Sequence, residues 1–276
     1  FSGKVKYLYQ SNKGNAAALN AGIRMADSRY ICFLDDDDLY TSNSLQSRIS
    51  AIKQYNADIV IGKRKKVHRL DSKGIVNSHF LKRYKKSIIE KKEALYLCDS
   101  SVFFKQAIEK GFFVDTNSIL LKKEFLENIG FYDEELVLSL DIDLYFRAFF
   151  AAKRFVYVDD ILSVCRYYLQ RHARNINKLF LYERKRSIKH IRILNEKTYD
   201  KKLIRILKRR LCAKKYKIKG ILEYREGNHR KALRHFARSL NIYRDRETLI
   251  LLCKALIPKI VTYRLKYIRT ALTGAK

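Results

Sequence analysis

The sequence feature that most constrains the fold is an apolar run that ends in four consecutive carboxylates. Tyr30 to Leu34 reads Tyr-Ile-Cys-Phe-Leu, is flanked by polar residues, and is followed at once by Asp35 to Asp38. A short apolar run of this kind is typical of a buried strand. Adjacent carboxylates raise one another's pKa unless a cation lies among them. The pattern predicts a strand whose end binds Mg²⁺ or Mn²⁺ together with phosphate oxygens. A solvated acidic turn or helix cap is the alternative.

The segments around this run alternate between strand and helix patterns. Val5 to Tyr9 alternates apolar and polar residues, and residues 58–61 form a second apolar strand pattern. Residues 15–26 and 45–55 have apolar positions at helical spacing. Strands that alternate with helices predict an α/β layered domain. Ligands bind at the carboxyl ends of strands in such domains, where the acidic run lies.

The positive charge of the chain is concentrated in its last third. The formal net charge is +31, and from Arg171 to Lys276 there are 32 lysines and arginines but only 7 aspartates and glutamates. Such a break indicates two parts with different roles. We therefore predict an α/β domain over residues 1–172 and a basic helical region over residues 173–276.

The basic region has two sequence features of its own. Five residues have the types and spacing of one tetratricopeptide-type helical hairpin, although an ordinary hairpin with a glycine turn fits equally well: Gly220, Tyr224, Gly227, Ala232 and Phe236. The segments 203–211 and 249–267 mix Leu, Ile and Tyr with Lys and Arg. This mixture suits a helix on an anionic membrane surface, or equally a bundle with a basic outer face.

Cysteine usage and hydropathy suggest a compartment. The five cysteines have no spacing typical of zinc or redox sites, which predicts free thiols in a reducing environment. The sequence shows no signal peptide and no uncharged apolar stretch of the roughly 18 to 20 residues that cross a bilayer. We expect a cytoplasmic protein, peripheral at the inner face of the cell membrane.

Two segments resemble family 2 glycosyltransferases of the GT-A fold. Residues 12–23 read Asn-Lys-Gly-Asn-Ala-Ala-Ala-Leu-Asn-Ala-Gly-Ile, and residues 30–38 end in Leu-Asp-Asp-Asp-Asp. The family's Asn-x-Gly, Ala-x-Asn-x-Gly and Leu-Asp-x-Asp-Asp elements occur here in order and at family spacing. The resemblance covers residues 5–172. It implies a GT-A-like mixed sheet flanked by helices, and an inverting, metal-dependent hexosyltransferase whose donor is a nucleotide-diphosphate sugar, most commonly a UDP-sugar.

The resemblance also implies roles for residues near the acidic run. Asp37 matches the last aspartate of the family's DxD motif and would bind the metal on the donor diphosphate. Asp35 and Asp36 would face the ribose and the water shell of the metal. Lys13 lies where family members contact the nucleotide, and a cation beside a diphosphate is reasonable chemistry. A solvated surface lysine is the alternative interpretation of Lys13.

A second family motif supplies a candidate base. The family's Gly-x-Phe-Asp-Glu-x-Leu followed by Glu-Asp-x-Asp-Leu corresponds to residues 130–136 and 140–144, with Leu140 in place of the glutamate. By resemblance, Asp141 would deprotonate the acceptor hydroxyl. We expect Ser139 to cap a helix that runs to about residue 153, where the helix dipole would favour the anionic form of Asp141. Asp143 is the alternative base, and since residues two apart on a helix point to different sides, only one faces the site.

The family pattern also extends to both ends of the predicted domain. Arg166 and His172 resemble the closing Arg-x-His segment, which implies that His172 approaches the metal or the leaving diphosphate; a surface histidine is the alternative. The family's first strand, helix and second strand would precede Phe1. The resemblance therefore predicts an N-terminally truncated domain, and weak nucleotide binding if the chain is the complete protein.

Other functional classes remain as alternatives to the transferase. A non-enzymatic nucleic-acid-binding or membrane-binding protein is supported by charge alone, and no RNP, KH, zinc-finger or helix-turn-helix pattern accompanies it, which argues against a nucleic-acid partner. A degenerate transferase that acts as a scaffold is a further alternative. The transferase reading predicts as partners a nucleotide-sugar donor, a glycan or lipid-linked acceptor of surface polysaccharide synthesis, and an anionic membrane surface.

Overall fold

The structure divides into an α/β unit and a helical unit. The computed structural model describes residues 5–67, 74–76, 80–112, 114, 116–166, 176–198 and 200–256. The two compact units are Phe1–Ala173 and Arg174–Lys276. The predicted fold class, a mixed sheet flanked by helices and followed by a helical region, is confirmed.

The α/β unit is built on a mixed sheet of eight strands. The strands are β1 (Tyr30–Cys32), β2 (Leu39–Tyr40), β3 (Ile59–Val67), β4 (Ile75–Val76), β5 (Ile88–Lys92), β6 (Leu95–Asp99), β7 (Leu120–Lys122) and β8 (Arg154–Arg166). The main order is β1-β7-β3-β8-β6-β5, with β2 paired to β8 and β4 to β3. The central pair β3 and β8 is parallel, and the other pairs are antiparallel.

Within its described residues, the α/β unit has six α-helices, of which the first precedes β1 and the others lie between strands. They are α1 (Asn15–Met25), α2 (Ser44–Gln54), α3 (Phe80–Tyr84), α4 (Ser100–Lys110), α5 (Lys123–Ile129) and α6 (Leu140–Ala151). Short 3₁₀ turns occupy Lys85–Ser87 and Thr116–Ser118. The helices predicted over residues 15–26 and 45–55 are confirmed to within one residue at each end.

The central strand β8 separates two apolar layers. Successive side chains of a strand point to opposite faces of the sheet. Val156 and Val158 belong to a buried cluster with Ala51 and Ile52 of α2. Phe155 and Tyr157 face an aromatic layer on the other side, which also contains Phe80, Phe103 and Phe149. Helices therefore cover both faces of the sheet. Because the faces are covered, a ligand can reach the sheet only at its edges.

Two local predictions are wrong. Val5 to Tyr9 does not form a strand: no described strand pairs with it, and Val5 and Tyr7 are 69% and 84% exposed. Ser139 does precede α6, but it has φ +59° and its side chain accepts no hydrogen bond from the helix. A side-chain cap requires a more extended backbone, so the left-handed conformation of Ser139 prevents one. The helix also ends at Ala151, earlier than expected.

The helical unit contains four described helices: α7 (Ile176–Lys197), α8 (Lys201–Arg225), α9 (His229–Ile242) and α10 (Arg246–Leu256). A turn with Gly227 at φ +85° joins α8 to α9. At Gly220, a Cβ atom would lie 2.5 Å from the ring of Phe236. The two helices can approach because position 220 has no side chain. The tetratricopeptide-type interpretation of this hairpin stays a prediction.

Part of the charge of the helical unit is paired in its interior. Lys214 forms an ion pair with Glu183 of α7. Burial, followed by the charge of Lys217, lowers the pKa of Lys214 to about 8. Lys217 pairs with Asp245 at 3.5 Å and with Glu247 at 2.6 Å. Within the described residues, no helix is both long and apolar enough to cross a membrane.

Candidate active site

The acidic turn, defined as Asp35–Asp38, is fixed at both ends by the sheet. Before it, Phe33 is buried and its carbonyl accepts a hydrogen bond from the Tyr40 hydroxyl at 2.6 Å. After it, Leu39 and Tyr40 pair with Val164 and Ser163 of β8. The turn therefore leaves one strand at the edge of the sheet and returns beside the end of β8.

Asn117 and Arg166 hold the carboxylates of this turn. The Asn117 side chain accepts a hydrogen bond from the Asp35 amide at 3.1 Å and donates to the Asp35 carboxylate at 3.3 Å. The same amide group also donates to Asp38. The backbone N–H of Arg166 donates to Asp38 Oδ1 at 2.9 Å, and its guanidinium donates to the Asp37 carbonyl. Groups distant in sequence thus set the shape of the turn.

Three of the four carboxylates converge. Asp35, Asp37 and Asp38 each place an oxygen within 4.8 Å of the others, whereas Asp36 is exposed and lies outside this group. Asp38 is buried, and both of its oxygens accept hydrogen bonds. The Asp37 carboxylate takes no hydrogen bond from the described residues. It is therefore the oxygen donor most available to a ligand.

The electrostatics of the acidic turn favour a bound cation. Partial burial raises the pKa of Asp35, the Asn117 hydrogen bond lowers it, and the charges of Asp38, Asp37 and Asp36 raise it again, for a net increase. A divalent cation would relieve this repulsion, and clustered carboxylate oxygens are ligands that Mg²⁺ and Mn²⁺ accept. The residues present fit a divalent metal site in which Asp37 and its two neighbours are the protein donors.

The structure adds little to the roles predicted for Lys13 and His172. Lys13 is exposed in the loop that precedes α1, where Gly14 has φ +89°. His172 lies outside the described residues, so its predicted approach to the metal or the diphosphate stays a prediction.

Asn20 connects α1 to the second motif. Asn20 is buried, and its side chain accepts a hydrogen bond from the Tyr132 N–H and donates to the Tyr132 carbonyl, both at 2.9 Å. It also donates to Glu134 at 2.8 Å. The Ala-x-Asn-x-Gly and Gly-x-Phe-Asp-Glu segments, more than a hundred residues apart, are therefore joined directly.

Asp141 and Asp143 occupy different environments in the first turn of α6. Asp143 is fully buried and accepts a hydrogen bond from Arg147 Nε at 2.9 Å. Arg147 in turn donates to the carbonyls of Ile129 and Phe131, both at 2.8 Å. Asp143 is thus committed to holding the loop before α6. Asp141 is partly exposed, and of the two it is the one that an acceptor could reach.

Tyr132 packs beside Phe33, just before the acidic turn, and lies within electrostatic range of Asp141 and Asp35. Its ring meets Phe33 edge-on, with centroids 5.5 Å apart. Burial raises the pKa of Tyr132, and the negative charges of Asp141 and Asp35 raise it further. Two carboxylates from the two predicted motifs therefore act on one buried side chain. The Tyr132 hydroxyl is buried and makes no hydrogen bond with the described residues.

Sequence reasoning missed several residues that shape this site. Asn20 lies inside the Ala-x-Asn-x-Gly motif, so the sequence marked the residue, but it did not indicate that the side chain bonds to Tyr132. Asn117 and Arg147 carried no local signal, because their roles depend on segments 82 residues and 16 to 18 residues away. Asp38 received no separate role from the sequence, although it belongs to the converging group.

The comparison with protein families agrees with this geometry. A sequence model described as Glycosyl transferase family 2 matches residues 1–120. The match covers the acidic turn and the segment that contains Asn117, and Asp141 lies beyond the matched residues.

Relatives extend the glycosyltransferase match past residue 120. The chain is 31% identical over 151 residues to an uncharacterized glycosyltransferase of Rickettsia prowazekii (strain Madrid E), covering 54% of this chain and 43% of the relative. It is 30% identical over 119 residues to the poly(ribitol-phosphate) beta-N-acetylglucosaminyltransferase TarP of Staphylococcus aureus (strain N315), covering 41% of this chain and 33% of TarP. The chain thus spans less than half the length of these relatives.

A solved structure supports the fold. The crystal structure of S. aureus TarS 1–349 in complex with UDP-GlcNAc has a TM-score of 0.55 to this chain and 16% identity, and the match covers 90% of this chain and 67% of that one. At this identity the likeness concerns the fold alone. The predicted GT-A-like architecture is confirmed.

Proposed function

We propose that this chain transfers a sugar from a nucleotide-diphosphate sugar to a glycan or lipid-linked acceptor, with inversion at the anomeric carbon. The observation that carries this proposal is the placement of the acidic turn and Asp141 around Tyr132, within a glycosyltransferase fold. One group of carboxylates suits the donor diphosphate, and a separate carboxylate suits the acceptor.

In the proposed reaction, Asp141 acts as the general base. The acceptor hydroxyl oxygen attacks the anomeric carbon, the bond from that carbon to the diphosphate oxygen breaks, and the hydroxyl proton passes to the Asp141 carboxylate. The nucleoside diphosphate leaves with the bonding electron pair.

The acidic turn is proposed to hold a divalent metal ion. Asp37 would be the principal ligand, with Asp35 and Asp38 completing the protein's share, while Asp36 and Lys13 would face the nucleotide. Mn²⁺ or Mg²⁺ would neutralise charge on the leaving diphosphate. The chain's own part is to fix the carboxylates through Asn117 and Arg166, since groups that orient metal ligands strongly affect metal affinity.

UDP-sugar is the proposed donor, and surface polysaccharide synthesis the proposed setting. Support comes from the neighbours: TarS was crystallised with UDP-GlcNAc, and TarP is named as an N-acetylglucosaminyltransferase of poly(ribitol-phosphate). The proposed location is the cytoplasmic face of the cell membrane. All five cysteines are free, which suits a reducing compartment.

Donor hydrolysis tests the proposal. UDP release from UDP-GlcNAc in the presence of Mn²⁺ is measured for the wild type, Asp37→Ala and Asp141→Asn, with Asp159→Asn as a control carboxylate outside the site. We expect Asp37→Ala and Asp141→Asn each to lower the rate by about a hundredfold or more, in the range for loss of an acid–base group, and the control to match the wild type. Equal rates in all four proteins would contradict the site assignment.

A further inference from the structure

A basic groove lies between the end of α7 and the first turns of α8. Its volume is about 410 Å³, and its lining residues are Asn195, Lys201, Ile204, Arg205, Lys208 and Arg209. The four cations are exposed, and no acidic residue lines the groove. Lys201, Arg205 and Lys208 form no ion pair with a described carboxylate, and Arg209 donates to the Ile242 carbonyl. The groove therefore concentrates positive charge with no internal counterion.

Two lysines of the same helical unit have carboxylate partners. Lys214 and Lys217, further along the same helix, are paired with Glu183, Asp245 and Glu247. Like charges four residues apart on a helix repel one another, and Lys201 and Arg205 stand at this spacing, as do Arg205 and Arg209. Among the described residues, carboxylates pair with Lys214 and Lys217, but none pairs with Lys201, Arg205 or Lys208. An external anion would supply what the groove lacks.

The attraction comes from side chains and not from the helix end. Asp200 caps α8, and its carboxylate accepts hydrogen bonds from the N–H groups of Lys202 and Leu203, both at 3.1 Å. These backbone donors are therefore already occupied. Flexible, exposed Lys and Arg side chains remain as the groups that could contact an anion.

The neighbouring face of α7 indicates what kind of anion. Leu181, Ile188 and Asn195 follow one another at intervals of seven residues, so they share one face of the helix. Leu181 is 59% exposed and Ile188 is 44% exposed, and the exposed Arg184 and Arg192 lie on the same side. Apolar side chains interleaved with cations suit the boundary between lipid head groups and acyl chains. The apolar side chains would make no favourable contact with the phosphate backbone of a nucleic acid.

We propose that this surface, the basic groove together with the exposed α7 face of Leu181 and Ile188, binds the phosphate head groups of an anionic lipid bilayer. The cations would contact the phosphates while the two apolar side chains enter the interface. The lipid-binding surface would account for the proposed peripheral location of the protein. Lipid binding does not depend on the transfer reaction, so a test can disprove one of the two proposals and leave the other standing.

Vesicle co-sedimentation of the 276-residue chain tests the proposal. We expect binding to vesicles of phosphatidylglycerol and phosphatidylcholine, and little binding to phosphatidylcholine alone. A groove variant, Lys201→Gln with Arg205→Gln and Lys208→Gln, should bind the anionic vesicles on the order of a hundredfold more weakly, since each cation near an anionic surface contributes severalfold. A charge-preserving variant, Lys201→Arg with Arg205→Lys and Lys208→Arg, should bind as the wild type does.

A matched variant separates the groove from overall charge. Arg230→Gln with Lys231→Gln and Arg234→Gln removes the same three charges from exposed positions on α9. It should lose no more than about threefold in vesicle affinity, because charges beyond a Debye length from the lipid surface are screened. An equal loss in both triple variants would overturn the proposal, as would failure of the wild type to bind anionic vesicles.

Three further measurements distinguish whether the bound phosphate belongs to a lipid, to free phosphate or to a nucleic acid. Leu181→Ser with Ile188→Ser should weaken vesicle binding by about tenfold through lost apolar burial. Unchanged vesicle binding in that variant would overturn the lipid interface. Displacement from vesicles by millimolar inorganic phosphate would instead indicate a free-phosphate site. Tighter binding to a double-stranded oligonucleotide than to vesicles, weakened by the groove variant, would indicate a nucleic-acid surface and also overturn the proposal.

Discussion

The acidic turn and the basic groove differ in sign of charge and in how that charge is held. In the turn, Asp35 and Asp38 receive hydrogen bonds from Asn117 and from the N–H of Arg166, so their oxygens are fixed by distant segments. In the groove, cations stand on one helix face with no bonded counterion. The acidic turn would bind a single metal ion, which requires ligand atoms held in fixed positions. The basic groove would meet many lipid phosphates, for which a high density of positive charge on one helix is sufficient.

The same contrast appears in the way each unit is stabilised. In the α/β unit, the buried Asp143 and the partly buried Arg147 hold the loop that precedes α6. In the helical unit, a glycine that lets two helices approach is the critical position. Substitutions in the two units should therefore have different consequences, and each of the following predictions tests one side of this comparison.

The largest expected effect is on stability, at Asp143. Asp143→Ala removes the buried carboxylate that pairs with the partly buried Arg147, which should lower the free energy of unfolding by about 3 to 5 kcal/mol. Asp141→Ala, two residues away and partly exposed, should change it by less than about 0.5 kcal/mol. Urea denaturation of both variants measures the difference. Equal effects would mean that the two carboxylates do not have separate roles.

The next effect concerns the fixed donors of the acidic turn. Asn117→Ala removes the amide that bonds Asp35 and Asp38, and should weaken Mn²⁺ binding by about 10- to 100-fold without removing a ligand. Asn228→Ala in the helical unit, where the asparagine contacts exposed glutamates, is the matched control. Calorimetric titration with Mn²⁺ checks both. If Asn117→Ala binds Mn²⁺ as tightly as the control, the turn does not depend on tertiary hydrogen bonds.

Two glycines, one in each unit, should respond in opposite directions. Gly220→Ala forces a methyl group into the ring of Phe236 and should destabilise the protein by about 1 to 3 kcal/mol. Gly22→Ala in α1 meets no atom within 4 Å and should stabilise by about 0.5 to 1 kcal/mol, because alanine favours the helix. Thermal unfolding of each variant is sufficient. Stabilisation by Gly220→Ala would contradict the close packing of α8 on α9.

The smallest expected effect is a pH dependence at Asp35. Since its pKa is raised in the folded state, the charged form destabilises the fold above that raised pKa, and the penalty disappears below the unfolded value of about 3.9. Asp35→Asn should therefore stabilise the metal-free protein at neutral pH and lose this advantage in acid. Stability measured against pH in the presence of EDTA tests the sign.

Asp99, in the same unit, has a pKa shift of the opposite sign to that of Asp35. Burial raises its pKa, but hydrogen bonds from Val102 and Ser101 lower it by more, so the net shift is downward. The stability that Asp99 contributes is present above about pH 3.9 and is lost as the pH falls through the lowered pKa. Asp99→Ala should therefore destabilise at neutral pH. The same pH profile for both variants would contradict the account of Asp35.

Much of the fold could be predicted from local patterns. The apolar run at residues 30–34 and the helices at residues 15–26 and 45–55 are specified by neighbouring residues, and the structure places β1, α1 and α2 there. The strand expected at Val5 to Tyr9 failed because alternation alone does not provide a pairing partner. The parallel pairing of β8 with β3 could not be predicted from either segment alone, because it joins residues about a hundred positions apart.

The candidate site was predictable only in part, for a similar reason. Residue types that carry chemistry, such as Asp37 and Asp141, stand in motifs and could be named from the sequence. Groups that orient them, such as Asn117 and Arg147, act through hydrogen bonds to segments that the chain brings together only on folding. The sequence also could not separate Asp36 from Asp38, because the path of the turn decides which carboxylate joins the group.

Calorimetry with Mn²⁺ and UDP-GlcNAc tests the central claim most directly, with wild type, Asp37→Ala and Asp36→Ala compared. Asp37 belongs to the converging carboxylates and Asp36 does not. The account predicts Mn²⁺-dependent UDP-GlcNAc binding by the wild type, loss of at least about tenfold in Mn²⁺ affinity for Asp37→Ala, and a change of less than about threefold in Mn²⁺ affinity for Asp36→Ala. Binding unaffected by EDTA, or equal losses in the two variants, would contradict it.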